Sequence, residues 1–215
     1  MTEIYLVRHG YSKANELDIF LGQQNVDLTE KGRTQAKLAC DYLKQFNISK
    51  IYSSDLDRAC QTAEPLSSAL NLPIIKRENL REIDGGEWDW VKYSEIDDKY
   101  HDIWKLWGCD ICSSYCPGGE TFIKLQDRIY KEMEKIAIAN DGNIIAVYSH
   151  GSSIKSFICK VLGVTGKEAN ELRYPGNSSV SKLIYDNKKF NLEFYSKNDF
   201  LGNTATHLTI TIKGE

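Results

Sequence analysis

Ile4-Tyr5-Leu6-Val7-Arg8-His9-Gly10 and, far along the chain, Ile144-Ile145-Ala146-Val147-Tyr148-Ser149-His150-Gly151 share one layout. Each is an apolar run, too short for a helix, that ends within two residues on a histidine and a glycine. Such runs read as strands buried on both faces. The second passes into a helix through about Leu162. Between and around them, strand-like and helix-like segments alternate. Thr29 is a good N-cap for an amphipathic helix carrying Ala36, Ala39, Cys40, Leu43 and Phe46, with Asn47 as its stop. Lys50 to Ser54 reads as a strand, followed by a helix capped by Asp55 that runs through Arg58 and Leu66 toward Leu70 and is bent or divided at Pro65. Leu72 to Ile75 is a third strand, and Phe122, Leu125, Ile129, Met133 and Ile136 form one helical stripe that should pack on a sheet. Val180–Tyr185 and Phe190–Tyr195 read as a hairpin, with His207 to Ile212 a last strand. This order predicts an α/β fold: a mostly parallel open sheet with helices on both faces and antiparallel strands at one edge.

Residues from about 87 to 119 depart from the alternation. They contain all four tryptophans and Cys109, Cys112 and Cys116, and end in Pro117-Gly118-Gly119. They read as a lid inserted into a single domain spanning residues 1 to 215. The tryptophans would form the lid's own small core or wall a pocket for an apolar or ring-bearing substrate, core packing being the stronger reading.

The 215 residues suffice for a buried core without disulfide or metal, and 41% hydrophobic with 27% charged residues excludes disordered and fibrous classes. A net charge of -3 argues against nucleic acid or an anionic membrane as the main partner. The first residues lack a charged stretch leading into a long apolar run, and no later run approaches a membrane span, so a cytoplasmic protein is expected. The sequons at Asn47 and Asn177 then carry no meaning, and the six cysteines are expected as free thiols. The Cys109-x-x-Cys112-x-x-x-Cys116 spacing is wrong for paired zinc knuckles. Free thiols are the expectation, and no metal site or cofactor. Gly163-Val164-Thr165-Gly166-Lys167 is too short for a P-loop, and no G-x-S-x-G is present to support a serine hydrolase.

In open α/β sheets, ligands bind beyond the carboxyl ends of the strands, where the following helices offer free main-chain N–H groups. Arg8, His9 and His150 fall there, with Arg58 in the first turns of the second helix and Glu82 in the loop after the third strand. Two Arg forks match a dianionic phosphoryl group. A neutral imidazole is a competent nucleophile at pH 7, the role given to His9. His150, if protonated, would stabilise the transferring group. Glu82, held toward its acid form by the charge of bound phosphate, would protonate the leaving oxygen and then activate water. Nothing in this scheme needs Mg²⁺, so activity in the presence of chelator is expected.

Leu6-Val7-Arg8-His9-Gly10, Ser53-Asp55-Leu56-Arg58-Ala59-Thr62-Ala63, Leu80-Arg81-Glu82-Ile83-Asp84 and Ser149-His150-Gly151 together resemble the histidine phosphatase superfamily, the phosphoglycerate mutase-like group. The resemblance runs from residue 4 to Leu208. It implies a phosphohistidine mechanism with His9, Glu82 and His150 catalytic and Arg8, Arg58 and His150 on the phosphate. It adds Asn15 and Gln23 as substrate-binding residues. The Leu80 to Trp88 segment is similar to the phosphatase branch, including α-ribazole phosphatase-like and broad-specificity members. Tyr11, Asn25 and Asp27 depart from the family's usual Glu, Asp and Pro, which bears on substrate identity. The expected activity is hydrolysis of small phosphorylated metabolites. Mutase-type phosphoryl transfer and an inactive phospho-ligand-binding module stand as alternatives, and oligomeric state is left open.

Overall fold

The computed structural model of the chain describes residues 1–206. The strand expected over residues 207 to 212 lies outside the described residues. In chain order the elements are β1 (Thr2–Arg8), α1 (Lys13–Glu16), α2 (Glu30–Leu43), β2 (Ile48–Ser53), α3 (Asp57–Leu70), β3 (Ile74–Lys76), α4 (Tyr93–Cys109), α5 (Phe122–Ile138), β4 (Ile144–Ser149), α6 (Gly151–Leu162), α7 (Gly166–Glu171), β5 (Val180–Asp186) and β6 (Lys189–Lys197). The six strands form one open sheet in the order β3-β2-β4-β1-β5-β6. The four strands β1 to β4 are parallel to one another, whereas β5 runs antiparallel to β1 and β6 antiparallel to β5. That is the parallel sheet with an antiparallel edge expected from the segment order.

The apolar strands explain the layering. Side chains alternate across a strand, so a run apolar at every position needs cover on both sides. Ile4 and Leu6 of β1, with Ile145 and Val147 of β4, join a cluster that includes Leu125, Ile129 and Met133 of α5 and Ile154, Phe157 and Ile158 of α6. Tyr5, Val7, Ala146 and Tyr148 face the other way, onto Cys40 and Leu43 of α2 and Ala63 and Leu66 of α3. All five stripe residues of α5 are buried.

Boundaries move where side chains find other partners. α2 starts at the Thr29 cap, whose side chain accepts from the Gly32 N–H. It ends at Leu43 rather than Asn47, because Phe46 leaves the helix to stack on Tyr5 with ring centroids 4.5 Å apart. Asp55 does not cap α3. Its carboxylate is held by Arg81, with Nε to Oδ1 at 2.7 Å, and Leu56 takes the N-cap position without a side-chain bond. Pro65 does not divide α3; the buried Ala63 and Leu66 on either side hold that turn to the core. β3 runs one to two residues later than expected. Gly32 permits one close approach: a Cβ there would lie 2.1 Å from the Tyr11 carbonyl oxygen, so only glycine lets α2 begin against the chain just beyond His9.

The segment read as a lid contains α4, and its aromatics do not form a core apart. Trp88, Trp104 and Trp107, with Ile96 and Ile111, belong to the same apolar cluster as Ile4 and Leu6. Trp88 and Trp104 meet edge to face at 5.6 Å, and Phe20 packs edge-on against Trp88 at 5.5 Å. Trp90 is the exception, 54% exposed. Among the described residues, no helix is long and apolar enough to cross a membrane.

Truncating Trp104 to Ala should therefore destabilise the fold by about 3–5 kcal/mol in urea denaturation, whereas Trp90→Ala should stay within about 0.5 kcal/mol. Equal effects would place the segment outside the core.

Candidate active site

β1 and β4 are adjacent, with Arg8 opposite Ser149 in the register, so the residues that follow each strand emerge side by side on one rim. The helices beyond them separate: α2 packs on one face and α6 on the other. This divergence opens a crevice at the carboxyl edge of the sheet. His9 and His150 stand at its base with ring centroids 5.3 Å apart.

The His9 Nδ1 lies 2.7 Å from the Gly10 carbonyl oxygen. A carbonyl only accepts, so Nδ1 carries the proton and Nε2 keeps its lone pair. The His150 Nε2 meets Ser54 Oγ at 2.8 Å, while its Nδ1 is buried without a partner. Both rings are buried, and their pKa values lie well below the ordinary 6.5, first because burial disfavours the charged form and then because Arg58 and other nearby groups, Arg8 among them, repel it. Burial and the neighbouring cations thus favour the neutral form of both imidazoles. The imidazolium role expected of His150 requires an anion beside it.

Arg8 and Arg58 are 3% and 2% exposed. Arg8 Nη1 donates to the Pro175 carbonyl at 2.6 Å; Arg58 donates from Nη1 to Gln24 O and from Nη2 to Gly22 O, each at 2.8 Å. These bonds fix both forks and leave other N–H groups unused, including the buried Arg8 Nε. Burial lowers the pKa of each, that of Arg58 to about 10, so both remain cations at neutral pH.

Glu82 is held from the start of α6. Its Oε2 accepts from the Ser152 N–H at 3.0 Å, and its Oε1 from the Ser153 N–H at 3.0 Å and the Ile83 N–H at 2.9 Å. The Ser152 and Ser153 amides of α6 are therefore engaged by this carboxylate rather than free. The Glu82 main-chain carbonyl is fixed in turn by Arg128 Nη2 at 3.0 Å and Gln23 Nε2 at 3.2 Å.

Arg8, His9, Arg58, Glu82 and Asn15 line one cleft. Of the remaining expected residues, His150 lies fully buried behind His9, and Gln23 is turned onto the Glu82 main chain instead of forming a wall. The other walls include Ser12, Ile19, Leu21, Tyr93, Ser152 and Tyr174. The two tyrosines had no signal in the sequence, because twelve tyrosines are scattered along the chain and only the fold brings these two together. Asn177 was also missed. Its side-chain amide donates to His9 O at 3.1 Å, Gly10 O at 3.3 Å and Asn15 Oδ1 at 3.1 Å, clamping the histidine backbone to the cleft wall.

Two departures from the family pattern have structural partners: Asn25 Oδ1 accepts from the Asp57 N–H at the start of α3, and Asp27 Oδ1 from Gln61 Nε2. Tyr11 donates to the Asn15 carbonyl at 3.2 Å. Among the described residues no three His, Cys, Asp or Glu side chains converge as a metal-holding group. Cys109 is exposed, whereas Cys116 is buried with its thiol pKa pushed up by burial.

Residues 4–198 match the family model described as Histidine phosphatase superfamily (branch 1). The chain belongs to the histidine phosphatase superfamily. Phosphoserine phosphatase 1 of Hydrogenobacter thermophilus is 31% identical over 76% of this chain and 78% of its own length. A probable phosphoglycerate mutase GpmB of Proteus mirabilis is 29% identical over 87% and 86%. Among solved structures, Bacillus stearothermophilus YhfR superposes with a TM-score of 0.89 at 26% identity, over 94% of this chain and 100% of that one. A mycobacterial glucosyl-3-phosphoglycerate phosphatase in complex with VO3 gives 0.84 at 25%, over 91% and 99%. Within the histidine phosphatase fold, the two rim histidines are thus set by the β1–β4 pairing.

The depressed histidines make stability depend on pH. An unfolded imidazole takes up a proton near 6.5 and a buried one here resists it, so below that pH the unfolded state binds more protons and stability falls as pH falls. Each ring should contribute a slope of about 1.4 kcal/mol per pH unit. Urea midpoints of His150→Gln between pH 6 and 5 should lose about that much of the wild-type slope. An unchanged slope would mean that the folded chain protonates this ring freely.

Proposed function

We propose that this histidine phosphatase hydrolyses small phosphomonoesters through a phosphohistidine formed on His9. The observation that carries the reading is the convergence on one cleft of an unprotonated ring nitrogen, two fixed guanidinium groups and a buried carboxyl group. The cations orient the phosphoryl oxygens. His9 Nε2 donates its lone pair to phosphorus as the ester P–O bond breaks, and the leaving oxygen takes a proton that the Glu82 carboxylate has accepted from solvent as the dianion binds beside it. Arrival of the dianion offsets the repulsion that keeps His150 neutral, so its unpartnered Nδ1 takes up a proton and donates to an equatorial oxygen. Water then attacks phosphorus, giving a proton to Glu82 as the P–N bond breaks and its electron pair returns to His9. None of these steps calls for a metal ion.

Relatives that bear phosphatase names support water as the final acceptor, while the mutase-named relative makes bound product the alternative acceptor. Phosphate release from an aryl phosphate in the presence of chelator should fall at least about 10³-fold in His9→Ala. Rapid quenching of wild type should trap an acid-labile, alkali-stable phosphoryl group on His9. Equal release by both proteins would overturn the assignment, and isomerisation of phosphoglycerate faster than phosphate release would replace hydrolysis with mutase chemistry.

A further inference from the structure

Among the described residues, three buried polar atoms in or behind the cleft have no partner in the protein: Arg8 Nε, His150 Nδ1 and Tyr174 Oη. The first two belong to the groups assigned to the phosphoryl oxygens. The third is engaged by neither step of the phosphoryl transfer. A buried hydroxyl left unpaired is costly, so one kept at the wall of a reaction cleft finds its partner in what binds there.

Tyr174 is fixed from both sides. The Arg173 carbonyl before it accepts from Tyr195 Oη at 2.7 Å, and the Pro175 carbonyl after it is the one that anchors Arg8 Nη1 at 2.6 Å. Its hydroxyl stands on the Glu82 side of the cleft. Ser152, whose N–H holds Glu82 Oε2 at 3.0 Å, is also a polar neighbour of Tyr174 Oη, although its side chain does not complete a hydrogen bond to it. Burial first and the Glu82 charge second push the phenol pKa well above its ordinary 10, so the group serves as a donor and keeps its own proton.

The ring itself is covered by a cation. Lys155 of α6 is 3% exposed, and its Nζ stands 4.5 Å from the centroid of the Tyr174 ring. It donates to the Asn170 carbonyl at 3.4 Å and, among the described residues, forms no ion pair. The aromatic face therefore offsets part of the cost of burying this ammonium. A cation against the ring draws electron density away from the phenol oxygen, which makes its O–H a stronger donor.

We propose that Tyr174 is a further catalytic residue, whose Oη donates a hydrogen bond to the ester oxygen as the P–O bond breaks, and that Lys155 acts through the ring as its positioning residue. This rests on the phosphatase reading above. When the P–O bond breaks, its electron pair passes to the ester oxygen; the proton that neutralises this oxygen comes from Glu82, and the phenol keeps its own. Tyr174 stabilises the charge that develops before that proton has fully moved. The need is greatest for an alkyl alcohol and least for a nitrophenol, whose anion is stable by itself.

The test is kcat/KM of the full chain over 2,4-dinitrophenyl, 4-nitrophenyl, phenyl and benzyl phosphate, a ratio that reports steps up to formation of the phosphohistidine. Tyr174→Phe, which keeps the ring and removes the hydroxyl, should lose about 10- to 100-fold on benzyl phosphate and less than about threefold on 2,4-dinitrophenyl phosphate. Lys155→Met should steepen the same dependence on leaving-group acidity, and Lys155→Arg should restore it. A loss equal across the series, or no loss, would overturn the role of Tyr174, and a Lys155→Met series parallel to wild type would overturn that of the lysine. No release above the His9→Ala background by wild type on any ester would instead remove the phosphatase reading itself.

Discussion

Burying Arg8 and Arg58 together at one rim is the constraint on which the rest of the molecule depends. Two like charges withdrawn from water repel each other, and each loses several kcal/mol of hydration. Three main-chain carbonyls and the facing Glu82 offset part of that cost, which makes the positions of those groups obligatory. The requirement spreads outward. Gly22 must present its carbonyl to Arg58, and its own N–H is held by Asp89 Oδ1 at 2.6 Å. Asp89 follows Trp88, which is sealed among Phe20, Trp104 and Trp107. A cation at the rim is thus oriented through a chain of contacts that ends in aromatic packing.

The same positive field has a second effect. It attracts a dianion, and with burial it keeps His9 and His150 unprotonated. Attraction of the substrate and availability of the nucleophile have a common cause, so the site needs no separate base to activate the attacking ring.

The sheet was legible in the sequence because its physics is local: a run apolar at every position has one solution, a strand covered on both sides. The rim residues Arg8, His9 and His150 follow those runs at fixed offsets, whereas Arg58, on the helix after the mixed strand β2, stood out only through its motif. Elements failed where a side chain had a distant partner. Asp55 was available as a cap until Arg81, 26 residues on, claimed it. Gln23 came into the reading only through the family resemblance, and its amide donates to the Glu82 carbonyl. Trp88, Trp104 and Trp107 looked separate because the apolar cluster they share with Ile4 and Leu6 is assembled from segments far apart in the chain. Tyr93 and Tyr174 reach the cleft, and Asn177 the His9 backbone beside it, from segments whose local sequence carries no periodic or motif signal, and only the tertiary fold collects them.

The place of β1 in the sheet also sets an order of events during synthesis. This first strand is flanked by β4 and β5, so both of its hydrogen-bonded edges wait for residues made more than 140 positions later. Closing loops of that length before any contact rewards them is slow, and the nascent chain must carry an unpaired apolar segment until the second half has emerged. His9 is made well before the strands that fix its working position.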